Sequence, residues 1–288
     1  MIEVPPAEAD AVVIPDGAEV WVVSDIHGQL GALEAGLAGA GLVEPDGTWA
    51  RPGSALAVLG DSIDGGPDSL GTLRRLDRLR SSAAARGGVV VLLEGNHEEV
   101  AARALAGRGG GALWMGIGGD ATIASCGLDP VDPDAVSTAT REAPELRSLL
   151  GTLAPWARWR DVGLVHAGLV PDVDLAEFSV AHGRLWRHGD FLWGPPFPSA
   201  PEWRHYRAAG LDRVVVGHKP VVRPTLEQGG RALMIDTGAG NARDPGALTF
   251  VRLPANGLVP AAEVRIDIQA AGPGGRGAWR SRGSDALT

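Results

Sequence analysis

Short apolar runs rich in valine and leucine recur along the chain, at residues 20–23, 55–59, 89–93, 162–165, 214–216 and 232–235. Each is too short for a helix and carries no charged residue, which predicts strands buried on both faces. The stretches Leu30 to Ala40, Ser69 to Ala85, Glu98 to Ala106 and Pro144 to Leu153 space their apolar residues at the helical period. Their alternation with the apolar runs predicts an α/β architecture. Ala247 to Leu253 and Ala262 to Ile268 predict a last strand pair. Two irregular stretches, Thr122 to Arg141 and the Trp- and Pro-rich Leu185 to Trp203, are expected as insertions over a crevice. Residues 1–19 form an acidic, proline-containing extension ahead of a domain spanning 20–269, and 270–288 form a Gly-, Ser- and Arg-rich tail expected to be disordered.

Each of the six short runs ends where a polar cluster begins. In order these clusters are Asp25-Ile26-His27-Gly28, Gly60-Asp61-Ser62-Ile63-Asp64-Gly65, Gly95-Asn96-His97-Glu98, His166-Ala167-Gly168, Gly217-His218-Lys219-Pro220 and Ile235-Asp236-Thr237-Gly238. Loops that follow strands of an α/β sheet gather in one crevice at the strands' C-terminal ends, so distant clusters can converge. Turn formation alone accounts for Gly, Asp and Asn in one or two such loops. It does not account for carboxylates, an amide and imidazoles recurring through all of them.

The chain has 288 residues, 44% hydrophobic and 21% charged, the composition of an ordinary folded protein of one large or two small domains. A net charge of −9 leaves no general basic surface for a nucleic-acid backbone. It is compatible with an anionic substrate only if local positive charge is supplied, as divalent cations would supply it. The single cysteine, Cys126, excludes an intrachain disulfide and reads as a small buried hydrophobe. Met1 to Glu19 lacks the basic leader and apolar stretch of a signal peptide, and no apolar run approaches the ~18 residues of a membrane span. The expectation is a cytoplasmic protein with neither nucleic-acid nor membrane partners.

Taken in order from Val20 to Leu253, the clusters resemble those of the calcineurin-like metallophosphoesterases, closest to the phosphoprotein phosphatase group that includes bacterial symmetrical diadenosine tetraphosphatases. The resemblance implies a sandwich of two mixed β-sheets flanked by helices, with a dimetal site at the sheet edge. The strand and helix alternation by itself would also suit a doubly wound sheet. Carried over motif by motif, the resemblance implies that Asp25 and His27 hold a first metal and that Asp61 bridges both. Asn96, His166 and His218 complete the second site. Carboxylate, amide and imidazole together suit transition metals, Mn²⁺ first, with Fe or Zn²⁺ as alternatives. His97 would be the proton donor to the leaving group, oriented by Asp64, and Asp236 would stand behind the ligands. Taken singly, His97 reads as a helix-start residue and His218 as a core histidine. Four of the seven histidines at motif positions set that reading aside, leaving His182, His188 and His205 without a role. Glu98 reads as a structural helix-start acid.

The implied activity is hydrolysis of phosphomonoesters by attack of a metal-bridging hydroxide, with phosphoserine and phosphothreonine in proteins as the first substrate class. The second motif departs from the phosphoprotein phosphatases, whose phosphate-binding Arg is here Gly65. Loss of a charge-assisted contact weakens binding by about 1.5–3 kcal/mol unless another cation replaces it. Lys219 is the first candidate, followed by Arg184, Arg187, Arg204 and Arg243. Gly65 and Gly66 are expected to leave space for a bulkier substrate group. The departure keeps dinucleoside polyphosphates and small phosphorylated metabolites open as alternatives; Trp186, Trp193 and Trp203 are of a type that stacks on a nucleobase, although they read first as packing residues of a loop cap. A non-catalytic binding module is disfavoured because all six implied ligands and both acid-dyad residues are present.

Overall fold

The computed structural model describes residues 12–167, 210–240, 246–268 and 280–282. Its strands are β1 (Val12–Ile14), β2 (Glu19–Val23), β3 (Ser54–Val58), β4 (Val89–Leu92), β5 (Ala157–Trp159), β6 (Val162–Leu164), β7 (Arg213–Val216), β8 (Thr225–Glu227), β9 (Ala232–Met234), β10 (Ala247–Arg252), β11 (Ala262–Asp267) and β12 (Arg280–Arg282). They form two six-stranded sheets, in the orders β12-β11-β10-β2-β3-β4 and β1-β5-β6-β7-β9-β8. In the first, β2, β3 and β4 run parallel while β10 is antiparallel to β2. In the second, β6, β7 and β9 run parallel and β5 and β8 are antiparallel to their neighbours β6 and β9. The fold is therefore a sandwich of two mixed sheets, and a single doubly wound sheet does not form.

Side chains alternate across a strand, so the central strands must satisfy two apolar environments. Val20, Val22, Ala55, Ala57 and Val91 face inward and pack with Ala157, Leu164, Val215 and Leu233 of the second sheet. Trp21, Val23, Leu56, Val58, Val90 and Leu92 face outward onto α1 (Leu30–Gly39) and α2 (Ser69–Ala85), through Leu33, Leu37, Leu76 and Leu79. Asp68 starts α2 by accepting the Gly71 N–H at 2.7 Å. The unbroken apolar runs of the sequence follow directly from this double burial.

A third cluster lies among the helices α3 (Asn96–Leu105), α4 (Gly111–Trp114), α5 (Asp120–Ser125), α6 (Ala135–Glu142) and α7 (Pro144–Leu150). The stretch Thr122 to Arg141, expected to be irregular, is mostly helical: Ile123 of α5 and Ala135 and Ala139 of α6 are fully or nearly fully buried. These helices have only six and eight residues and bury small side chains, so their apolar period is too brief to register in the sequence. Cys126, at the end of α5, is half-buried rather than fully enclosed.

The ends of the chain also differ from expectation. Val12–Ile14, assigned to an extension, pairs with β5 and places Ile14 fully inside the sandwich core. Within the tail expected to be disordered, Arg280–Arg282 pairs with β11. The Leu185 to Trp203 stretch lies outside the described residues, as do His182, His188, His205 and the arginines 184, 187, 204 and 243.

Candidate functional site

The registers of β2, β3 and β4 align Val23 with Val58 and Ala57 and Val58 with Val91 and Leu92, so the first three polar clusters leave the sheet at one edge. The parallel strands β6, β7 and β9 deliver the other three in the same way. Backbone bonds then lace the loops together. His27 N–H donates to the Asp61 carbonyl at 2.8 Å, Gly28 N–H to Ser62 O at 2.9 Å, and Gly217 N–H to His166 O at 2.7 Å.

These loops adopt a backbone that L-residues avoid. Among the described residues seven non-glycine positions have positive φ, and five belong to the expected site: Asp25 at 52°, His27 at 48°, Asp61 at 50°, Asp64 at 71° and His218 at 65°. Each costs of order 1–3 kcal/mol and persists only where the surroundings impose it, which is the pattern of functional sites. No residue-by-residue reading of the sequence signals this.

The side chains converge on Asp61. Its Oδ2 lies 3.8 Å from His27 Nε2, 3.9 Å from His97 Nε2 and 3.3 Å from His166 Nε2. Two donor groups result, His27 with Asp61 and His97, and Asp61 with His166 and His218, each with its ligand atoms within 4.8 Å of one another. Asn96 Oδ1 stands 2.9 Å from His166 Nε2. His166 Nδ1 donates to the Leu59 carbonyl at 2.8 Å and His27 Nδ1 to that of Ile63 at 3.1 Å, which turns both Nε2 atoms toward Asp61. Asp25 belongs to neither group: its oxygens accept the His218 N–H at 3.1 and 3.0 Å, with the Ser24 hydroxyl on the same carboxylate. Lys219 follows His218 in the same loop and is half-buried.

His97 Nδ1 donates to Asp64 Oδ2 at 2.8 Å, joining the two residues expected as a dyad. Its side chain is 14% exposed, against 1% for His166, so His97 faces the opening while His166 is sealed. Glu98 stands in the first turn of α3. It is fully buried and accepts the N–H groups of Gly95, Asp61 and Ser62 at 2.8, 2.9 and 2.5 Å, tying the second and third clusters together. Asp236 is buried and accepts the Gly238 N–H at 2.8 Å.

Charge in this site is poorly balanced. Burial, with repulsion from Asp236 and Asp61, pushes Asp25 well above the usual carboxylate range. Burial and Asp61 also raise Glu98 to about 7, and burial chiefly raises Asp236 to about 6. Burial opposes charging the imidazoles, yet the Asp61 carboxylate outweighs it and lifts His97 to about 9 and His166 to about 10. Burial and the neighbouring His97 lower His27 to about 4. A cluster in which Asp25 and Asp236 resist ionising and His166 holds a proton suits cations that would replace those protons. Carboxylate, amide and imidazole donors fit divalent transition metals.

The two glycines beside the cluster behave differently. Among the described residues a Cβ at Gly65 would meet only the Gly240 carbonyl oxygen, at 3.9 Å, although its φ of +78° disfavours one. A Cβ on Gly66 would lie 2.0 Å from the His27 carbonyl oxygen. The expected empty space therefore exists at Gly65 alone, and Gly66 is required for the first two loops to touch. Trp114 and Thr122, which no motif singled out, both donate to Asp64.

A family model described as Calcineurin-like phosphoesterase matches residues 18–237. An uncharacterised protein of Schizosaccharomyces pombe is 39% identical over 82 residues, 27% of this chain and 24% of that protein. Serine/threonine-protein phosphatase 2 of Escherichia coli is 33% identical over 101 residues, 35% of this chain and 38% of that protein. The matches thus span well under half of the curated relatives' lengths. The crystal structure of a cold-active protein-tyrosine phosphatase of a psychrophilic Shewanella superposes with a TM-score of 0.57 at 18% identity, covering 88% of this chain and 80% of that one. That likeness is one of fold.

Proposed function

Because the chain belongs to the calcineurin-like phosphoesterase family, we propose that it is a metal-dependent phosphatase that hydrolyses phosphomonoesters. Phosphoserine and phosphothreonine in proteins are the first substrate class. The observation that carries the reading is the place of Asp61, one buried carboxylate shared by two donor groups. Asp25, His27, Asp61, Asn96, His166 and His218 would hold two divalent ions, Mn²⁺ first among them. When bound, such ions lower the pKa of water and neutralise charge on phosphoryl oxygens. The protein's own part is to orient and to move a proton. His97 would present Nε2–H to the leaving oxygen, its other nitrogen fixed by Asp64 and its proton retained near neutral pH.

The name of the Escherichia coli relative favours a phosphorylated protein as substrate. The open position at Gly65 leaves room for larger groups and makes Lys219 the cation to test for phosphate contact. Among the described residues no helix is long and apolar enough to cross a membrane, and a cytoplasmic site of action is part of this proposal. The test is product release by Mn²⁺-loaded and chelated protein: phosphate from a phosphopeptide and from a sugar phosphate, and nucleotides from diadenosine tetraphosphate. Metal-dependent release is expected, greatest on the phosphopeptide. Preference for the tetraphosphate or the sugar would overturn the substrate class, and no release on any of the three would overturn the activity.

Metal removal has a pH signature. The folded values of His97 and His166, about 9 and about 10, lie above the 6.5 of an ordinary histidine. The stabilisation they bring is complete below that value and is lost as pH rises through the folded values. Chelated protein is therefore expected to melt at progressively lower temperature from about pH 7 to about pH 10, whereas loading with Mn²⁺ flattens the decline. Thermal unfolding across this range checks it, and a level profile for chelated protein would count against proton-balanced charge in the cluster.

A further inference from the structure

Asp64 is fully buried, and both of its carboxylate oxygens are engaged. Oδ2 accepts His97 Nδ1–H at 2.8 Å, while Oδ1 accepts the Trp114 indole N–H at 3.0 Å and the Thr122 hydroxyl at 2.5 Å. The Asp64 N–H is held in turn by the Ser69 and Thr122 hydroxyl oxygens, at 3.0 and 3.1 Å. Trp114 and Thr122 lie 50 and 58 residues beyond Asp64 in the chain, in the helical layer.

Bringing both donors to one oxygen takes an unusual backbone. Between them the chain kinks at Gly118, whose φ of 110° interrupts the helical backbone of Met115–Gly119. The Gly118 carbonyl accepts the Gly65 N–H at 3.1 Å, and a Cβ there would sit 2.9 Å from the Gly65 nitrogen. Only glycine lets this turn press against the Asp64–Gly65 loop.

We propose that Trp114 and Thr122 are positioning residues for proton delivery, fixing the Asp64 carboxylate so that His97 keeps its Nε2–H aimed at the leaving oxygen. This rests on the reading of His97 given above. In the step concerned water attacks phosphorus, and the bond from phosphorus to the leaving oxygen breaks with its electron pair on that oxygen. The leaving oxygen takes the Nε2 proton, and His97 is left neutral. The need for that proton grows with the basicity of the leaving group, so faulty positioning is felt on basic leaving groups and spared on acidic ones. A merely structural Trp and Thr would lose activity on both alike.

The experiment compares p-nitrophenyl phosphate, an acidic leaving group, with phenyl phosphate, a more basic one, on Mn²⁺-loaded full chain. Thr122→Val removes one donor at nearly constant volume and Trp114→Phe the other, so a folding failure of one leaves the other to decide. For either variant kcat on phenyl phosphate is expected to fall about ten- to a hundredfold further than on p-nitrophenyl phosphate, with KM unchanged. Thr122→Ser restores both. Equal losses on the two substrates, or no loss, overturn the proposal. His97→Ala is the control. If it discriminates by leaving group and the two variants do not, the positioning role falls and the acid stands; if it does not discriminate, both fall.

Discussion

Replacing Asp61 by alanine is expected to lower phosphate release by about 10³-fold or more, since withdrawing a metal clamp removes several kcal/mol of transition-state stabilisation and each 1.36 kcal/mol is tenfold. The size follows from the position of one side chain. Asp61 belongs to both donor groups, and among the described residues no other carboxylate does. Its Oδ1 also accepts the His97 N–H at 3.1 Å, so the variant loosens the start of α3 where Asn96 and His97 stand. Asp25→Ala removes a carboxylate that lies on one side of the cluster and should cost less. Metal content by elemental analysis, beside phosphate release on the best substrate, checks both variants. Asp61→Ala with full metal content and full activity would sink the site as drawn here.

The strands and the loops that follow them were legible because burial on both faces leaves unbroken apolar runs, each ended abruptly by its polar cluster. The pairing of Ala247 to Leu253 with Ala262 to Ile268 was legible from a different signal, the polar and apolar alternation of the second strand, and forms as expected. Other parts depended on partners far along the chain. Val12–Ile14 is too short to show a period and becomes a strand only because β5 is there to receive it. Trp114 and Thr122 look like ordinary helix residues until the turn at Gly118 brings them against Asp64. The contrast between Gly65 and Gly66 depends on where the His27 carbonyl sits, which their adjacency in sequence conceals. The sandwich itself needed the family resemblance, since strand and helix alternation is common to several folds.

Glu98→Ala is expected to be the most destabilising single change at the site. Glutamate at the third position of a helix is ordinarily worth little, a favourable charge near the dipole and a cap for one backbone N–H. Here the same carboxylate serves three N–H groups, of Gly95, Asp61 and Ser62, and is fully buried. Truncation leaves all three without an acceptor where water is excluded, at about 1–3 kcal/mol each or about 3–9 kcal/mol together, a range that reaches past the ~4–5 kcal/mol that marks an exceptional substitution. Glu98→Gln keeps an acceptor for the backbone donors but turns an amide N–H₂ toward others, so an intermediate loss is expected. Urea unfolding of chelated protein measures the effect without a contribution from bound metal. A loss below about 1 kcal/mol for the alanine variant, the size of an ordinary cap, would show that the loops do not depend on this carboxylate. If the large loss is found, Glu98 sets the spacing between Asp61 and the Asn96-His97 pair, and the strained backbone at Asp61 is held against relaxation from within the helix that carries the proposed proton donor.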